Sequence, residues 1–281
     1  MGISASQVKE LRDMTGAGMM ECKKALVEAN GDMDAAVDVL RKAGLAAVAK
    51  KAGRATNEGT VFAKVSEDGA MGAVVELNCE TDFVGMNEKF KGYAENIAKI
   101  ALAKKLGDAE ALKADEEVAA LITDCVHVMG ENTQLARATY VESTGVCSYI
   151  HMGGKIGVLM QFDVEGIDPT AAEFVAYGRD VAMQVAAMSP VAPNREAVPA
   201  DVVAKEMEIY KAQAAASGKP ENIQEKIATG RLEKFYAENC LTEQAFVKDG
   251  DLTIQKYTDK VAKELGGSIK VVAFVRYALG E

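Results

Sequence analysis

Four consecutive residues place a carboxylate beside a large aromatic side chain. They are Thr81, Asp82, Phe83 and Val84. They lie just past residues 73–77, an apolar run typical of a buried strand. A strand exit of this kind can present a charged and an apolar group together to another protein. The alternative is a helix N-cap followed by a core aromatic, and the local sequence leaves both interpretations open.

A second candidate contact surface lies near the N-terminus, where basic residues and methionines occupy predicted helices. Met19 and Met20 are consecutive, so they point about 100° apart on a helix and cannot both face one core. Met19 shares helical spacing with Cys22, a predicted core residue. Flexible methionines suit an apolar contact, and Lys9 and Arg12 suit the carboxylates of a partner. The alternative is a solvated basic face with a methionine that covers its neighbours.

Cysteine and histidine are the other residues that could do chemistry. The five cysteines lie far apart without Cys-x-x-Cys spacing, and only two histidines exist, so neither a disulfide framework nor a zinc site is predicted. A thiol nucleophile would have to pair Cys22, Cys79 or Cys147 with a histidine, and no spacing fixes such a pair. His127 is expected to be structural. His151 precedes a glycine-rich turn and is expected to be exposed.

Composition and charge exclude several classes of protein. A chain of 281 residues with 49% hydrophobic and 26% charged residues is typical of a globular protein of about two domains. No apolar run approaches the roughly 18 residues that span a bilayer, and no export signal is predicted. The net charge of −10 argues against direct binding to nucleic acid. No P-loop is present in the sequence. We expect a cytoplasmic protein that needs no membrane, metal or cofactor.

Hydrophobic periodicity predicts three short helices within residues 4–44. Gly16 and Gly18 separate the first two helices, and Gly44 is predicted to end the third. Residues 49–59 have no apolar face and are interpreted as a basic linker. The first predicted domain, residues 1–55, consists of this N-terminal module and the basic linker up to residue 55.

From about residue 60 the pattern changes to strands that are followed by helices, and the same order recurs. The predicted strands are 60–65, 72–78, 135–142, 146–151, 156–164 and 269–277. Helices are predicted after Val84 and at about 170–187. The pattern predicts an α+β fold with two related halves, residues 56–143 and 144–281, each built on an antiparallel sheet.

The second half contains a predicted antiparallel helical hairpin at about 200–239. Residues 200–216 and 220–239 are helix-forming, and Ser217-Gly218-Lys219-Pro220 joins them with a glycine that suits a helix end and a proline that suits a helix start. The hairpin could protrude as an arm or fold against its own domain.

The chain resembles the bacterial elongation factor Ts family. The motif Thr-Asp-Phe-Val at 81–84 is a hallmark of that family. The similarity extends to residues 9–26, 151–159, 217–221 and 230–235. These separated motifs occur in the family's order and cover nearly the whole chain.

The resemblance implies a guanine-nucleotide exchange factor for elongation factor Tu that carries out no covalent chemistry. It implies a three-helix head like a ubiquitin-associated (UBA) domain and a duplicated core. It also implies that Asp82 and Phe83 push into the GTPase beside its magnesium and phosphate site. The implied contacts are Lys9, Arg12, Met19, Met20, Thr81, Asp82, Phe83, Val84 and His151. Many bacterial members continue past the position of Glu281 into a helix that also contacts the GTPase, so here binding is expected to depend more on the other contacts.

Two rival functions stay open. One is a docking module, in which a UBA-like head on an unrelated scaffold binds a peptide or a ubiquitin-like protein without any effect on nucleotide. The other is a thiol enzyme that uses Cys22 or Cys79.

Overall fold

The computed structural model describes residues 3–15, 17–216, 218 and 220–281. The helices are α1 (Ala5–Thr15), α2 (Met19–Glu28), α3 (Met33–Lys51), α4 (Asp82–Gly85), α5 (Glu88–Lys104), α6 (Ala109–Ala114), α7 (Glu116–Met129), α8 (Ala172–Met188), α9 (Ala200–Ala215), α10 (Glu221–Asn239) and α11 (Ile254–Leu265). The strands are β1 (Glu58–Val65), β2 (Met71–Cys79), β3 (Gln134–Glu142), β4 (Gly145–His151), β5 (Ile156–Glu165), β6 (Ala245–Phe246), β7 (Asp249–Thr253) and β8 (Ser268–Ala278). This mixture of helices and small antiparallel sheets confirms the α+β prediction.

Two three-stranded antiparallel sheets form the centre of the molecule. Their strand orders are β1–β2–β3 and β4–β5–β8. Adjacent residues of β2 face opposite sides of its sheet: Val75 packs in a cluster with Phe90 of α5, whereas Val74 packs in a cluster with Leu159 of β5. Strand β2 is therefore buried along most of its length, between a helical layer and the second sheet.

The outer face of the second sheet is covered by α8 and α11. Phe162 of β5 contacts Phe174 and Tyr177 of α8, with ring centroids 5.6 and 5.4 Å away. The Tyr177 hydroxyl forms a 2.8 Å hydrogen bond with that of Thr258 in α11, which satisfies both buried groups. The layers are thus helix, sheet, sheet, helix.

Helices α1, α2 and α3 form their own apolar cluster. Its buried members include Val8, Leu11, Cys22, Leu26 and Leu40. The prediction that Gly44 ends the third helix is wrong, because α3 continues to Lys51 and includes the first part of the predicted linker at 49–59. Gly44 instead permits close packing on α7, since a Cβ there would lie 3.2 Å from the Thr123 methyl. The predicted separating role of Gly16 lies outside the described residues.

Helices α9 and α10 pack on each other, and their base is attached to the second half of the chain. Arg195 forms ion pairs with Glu233 of α10 and with Glu243, and its guanidinium lies 4.7 Å from the centre of the Tyr236 ring. Ser217 and Lys219 of the predicted connection lie outside the described residues. The sequence pattern does not predict α6, β6 or β7.

Candidate functional site

The segment 81–84 forms the start of α4, a single turn that follows β2. Thr81 is the N-cap, and its hydroxyl oxygen accepts a hydrogen bond from the Val84 amide at 3.4 Å. Asp82 is the first helical residue and is exposed. The cap is therefore Thr81 rather than Asp82, which leaves the Asp82 carboxylate pointing into solvent.

Phe83 is 80% exposed, although large aromatic side chains are usually buried. The alternative of a core aromatic at this position is wrong. Val84 instead turns inward and packs against the cluster beneath the first sheet. Met86 is also 57% exposed and lies three residues after Phe83, so the two side chains share one side of the turn. The sequence interpretation missed Met86, which the three-residue spacing of apolar residues could have revealed.

Helix α4 packs on β1 through a contact between two glycines. Gly85 is buried against Gly59 of β1, and a Cβ on Gly85 would lie 2.8 Å from the Gly59 carbonyl oxygen. Only a residue without a side chain allows this approach. The corner formed by Thr81 and α4 therefore rests directly on the first strand of the core.

Carboxylates from two chain segments hold the strand exit that leads into α4. Glu131 accepts hydrogen bonds from the amides of Glu80 and Thr81. The Glu80 carboxylate in turn accepts a 2.7 Å bond from the Asn132 amide and lies 3.3 Å from the Arg54 guanidinium. The Asn132 amide bond, followed by the Arg54 hydrogen bond, holds the pKa of Glu80 below its ordinary value. The sequence interpretation missed these residues, because nothing local links positions 80 and 131.

The predicted contacts on α1 and α2 are all exposed. Lys9 and Arg12 project from α1, and Met19 and Met20 are 55% and 65% exposed. The placement of Met19 on the core face is wrong, because Cys22, rather than Met19, enters the cluster. Both methionines are therefore available for contact.

One cleft brings part of this surface to α4. Arg12 and Met19 line it together with Val84 and Asn87, and its volume is about 930 Å³. Lys9 and Met20 are not among its lining residues, and Met20 lies instead beside Lys23 and Val27 on α2. The structure thus joins two of the four predicted N-terminal contacts to segment 81–84.

His151 is the last residue of β4 and is half-buried, which corrects the expectation of an exposed loop residue. Its Nδ1 lies 3.0 Å from the Tyr149 hydroxyl. The following turn contacts β1, where the Val61 amide donates to the Gly154 carbonyl at 2.7 Å. Because Gly59 supports α4 two residues earlier, this turn and α4 meet the same end of β1. Met152, at the start of the turn, is exposed.

Comparison with known proteins decides the family. The model of the family described as Elongation factor TS matches residues 80–281. Elongation factor Ts of Clostridium botulinum (strain ATCC 19397 / Type A) is 49% identical over 288 residues, which cover 99% of this chain and 93% of that protein. Elongation factor Ts of Trichlorobacter lovleyi is 48% identical over 291 residues, which cover 100% of this chain and 94% of that protein.

The chain belongs to the elongation factor Ts family. The family match begins at Glu80, so it includes the whole of segment 81–84, and the relatives extend the similarity over α1, α2 and α3. Across the described ranges, no helix is both long and apolar enough to cross a membrane.

The cysteines of this elongation factor Ts family member are poorly suited to nucleophilic chemistry. All five lie within the described ranges and are free and buried. Burial raises the pKa of Cys79, Cys125 and Cys147 to about 12, with the nearby Glu131 carboxylate adding to the effect at Cys79. Since the thiolate is the reactive form, a raised pKa suppresses reactivity at neutral pH.

His127, a residue expected to be structural, lies near the end of α7 on the side that faces Glu21 of α2. Its Nε2 lies 3.2 Å from a carboxylate oxygen of Glu21 without hydrogen-bond geometry. Within the part of the chain that the structure describes, no cluster of three or more His, Cys, Asp or Glu residues could hold a metal ion.

Proposed function

We propose that this protein is a guanine-nucleotide exchange factor for elongation factor Tu, which promotes GDP release during polypeptide elongation. The observation that carries the proposal is the large exposure of Phe83 beside Asp82, on a corner that hydrogen bonds and a glycine contact hold in place. An exposed aromatic on a rigid support is suited to entering a pocket of a partner. Its partner is elongation factor Tu in the GDP-bound and nucleotide-free states.

In the proposed mechanism, Phe83 enters the GTPase beside its magnesium and phosphate site, and Asp82 brings a negative charge next to the phosphates. A carboxylate placed close to the phosphates would repel them and so weaken the binding of the nucleotide. A thousandfold faster release requires the nucleotide to be held less tightly by about 4 kcal/mol. Burial of one phenylalanine supplies only about 1.5–3 kcal/mol. Other contacts must therefore stabilise the distorted GTPase.

The other proposed contacts are Lys9, Arg12, Met19, Met20, Thr81, Val84 and His151. Their placement supports this role, because the cleft that contains Arg12 and Met19 also contains Val84. Coupling between two ligands of one protein is reciprocal, so rebinding of nucleotide weakens the hold of the exchange factor to the same degree. The complex is then transient when GTP is abundant.

We also propose three domains for this function. Residues 1–55 form a UBA-like head, residues 56–143 form the first half of a duplicated core, and residues 144–281 form the second half, with an antiparallel hairpin at about 200–239. Separate apolar clusters in the head and beneath each sheet support this division. The proposal involves no covalent chemistry, cofactor, nucleic acid or membrane. It implies a cytoplasmic location, where translation takes place.

The direct test is the release rate of a fluorescent GDP analogue from purified elongation factor Tu at a fixed magnesium concentration. Strong acceleration by the full chain would support the proposal. Binding to elongation factor Tu without acceleration would reject it in favour of a docking module. The Phe83→Ala variant serves as the matched control for the site.

A further inference from the structure

Glu131 binds the backbone immediately before α4. Its Oε2 accepts hydrogen bonds from the amides of Glu80 and Thr81, both at 3.0 Å, and its Oε1 accepts one from the Thr81 hydroxyl at 2.6 Å. Three donors on two consecutive residues therefore converge on one carboxylate. Bonds to an ionised acceptor are stronger than neutral ones, so this arrangement fixes the position and direction of the N-cap of α4.

The turn that carries Glu131 is itself attached to the same strand exit. Helix α7 ends at Met129, and its C-cap Gly130 has a positive φ of 75° that turns the chain towards β2. The Asn132 amide then donates to Glu80, and the Asn132 side chain donates to the Arg54 carbonyl at 2.8 Å. Each segment thus supplies a carboxylate to the backbone of the other, and neither can shift alone.

Helix α4 depends on such external support. It has four residues, fewer than an isolated helix needs for stability. Phe83 is mostly exposed, so it receives little packing from its own chain. The orientation of the Asp82 and Phe83 side chains consequently depends on the bonds before α4 and on the Gly85 contact after it.

We propose that Glu131 is a positioning residue for nucleotide exchange, which holds α4 so that Asp82 and Phe83 meet the GTPase already ordered. This inference rests on the proposed function. Without Glu131, α4 would have to become ordered as Phe83 enters the nucleotide site, so the entropic cost of ordering would fall on the exchange step rather than on the first encounter of the two proteins. The predicted loss on removing Glu131 is therefore in the exchange step itself, while the remaining contacts still bring the two proteins together.

Two substitutions separate geometry from charge. Glu131→Ala leaves two amides and one hydroxyl without their acceptor. Glu131→Gln keeps the shape, because its amide oxygen can accept from both backbone amides while its NH₂ donates to the Thr81 hydroxyl oxygen. We expect Glu131→Ala to lower the maximal GDP-release rate about tenfold and to change the half-saturating concentration by less than about threefold, whereas Glu131→Gln retains most of the rate. Glu110→Ala, at an exposed glutamate of α6, is the surface control.

A double-mutant cycle with Phe83→Ala shows whether Glu131 acts through the corner. If it does, Glu131→Ala has little further effect on the release rate once Phe83 is removed. A purely structural role would give the same fold loss in both backgrounds. Thermal unfolding checks that each variant is folded, and if Glu131→Ala is not, Glu131→Asp replaces it, because a carboxylate one methylene shorter cannot reach all three donors.

The outcomes are distinguishable. Wild-type protein that leaves GDP release unchanged would overturn the proposed function and this inference with it. Active wild-type protein with an equally active Glu131→Ala variant, or with losses that multiply in the cycle, would overturn the inference alone. A reduced maximal rate that is not reduced further in the Phe83→Ala background would support it.

Discussion

Gly85 of α4 and Gly59 of β1 are in direct backbone contact. A Cβ on Gly85 would lie 2.8 Å from the Gly59 carbonyl oxygen and 3.1 Å from its nitrogen. Backbone atoms of a paired strand cannot move aside as the end of a flexible side chain can. The space at position 85 therefore sets how closely α4, which carries Phe83, approaches β1.

We expect Gly85→Ala to shift α4 and to lower both stability and exchange. Overpacking at a closed site costs about 1–3 kcal/mol. Denaturant unfolding and GDP release measure the two effects. Gly92→Ala is the matched control, because no atom beyond the adjoining residues and backbone of α5 lies within 4 Å of a Cβ at this position, where alanine should add up to about 1 kcal/mol of helix stability. If Gly85→Ala and Gly92→Ala proved equally stable, that result would contradict the close contact between Gly85 and Gly59.

Phe83→Ala should lower the exchange rate far more than it lowers stability. The side chain is largely exposed in the free protein, so its truncation removes few internal contacts. If it is buried in the complex, the loss of about 1.5–3 kcal/mol corresponds to about tenfold to one-hundredfold. Val175→Ala, at an exposed apolar residue of α8, should change neither property. An unfolded Phe83→Ala variant, or one with a normal exchange rate, would count against the proposed insertion of Phe83 into the GTPase.

Met20→Ser tests the contact surface of α2. Because Met20 is exposed, the substitution should leave the melting temperature unchanged, while the concentration of factor needed for half-maximal exchange rises about threefold to tenfold. Met188→Ser, at the exposed end of α8, is the matched control. A titration that gives identical curves for both variants would remove Met20 from the proposed interface.

The Glu80 carboxylate should contribute to stability in a pH-dependent way. Bonds from the Asn132 amide and the Arg54 guanidinium favour its charged form, and they hold its pKa below the ordinary 4.5. A depressed folded-state pKa means that the stabilisation is fully present above the unfolded-state pKa and is lost as pH falls through the folded-state pKa. The difference in melting temperature between wild type and Glu80→Gln should therefore shrink below pH 4.5.

Glu67→Gln, at an exposed glutamate between β1 and β2, is the control for this pH series. If the difference in melting temperature between wild type and Glu80→Gln stayed constant at low pH, the charge of the Glu80 carboxylate would not contribute to stability.

The cysteines should resist labelling in the folded protein. Burial raises the pKa of Cys79, Cys125 and Cys147 to about 12, so thiolate is scarce at pH 8 and is also inaccessible. A disulfide-exchange reagent should react slowly in native buffer and with all five thiols in denaturant. Rapid reaction of one thiol in native buffer would reopen the possibility of a thiol enzyme.

Local patterns account for much of the fold. The predicted strand at 72–78 corresponds to β2 within one residue at each end, and the predicted strand at 146–151 corresponds to β4 within one residue. These strand predictions succeed because side-chain alternation follows from backbone geometry, whichever elements pack together. Gly44 shows the limit, since a glycine that suits a helix end serves instead as a packing point on α7.

The sequence by itself determined the α+β class, most element positions and the family resemblance carried by residues 81–84. Only the tertiary structure decided that Phe83 and Met19 are exposed, that His151 is half-buried in a strand, and that Glu131 binds the strand exit some fifty residues earlier. Burial and long-range hydrogen bonds depend on which distant elements meet. A single sequence records the spacing along each element, but not the surface against which that element packs.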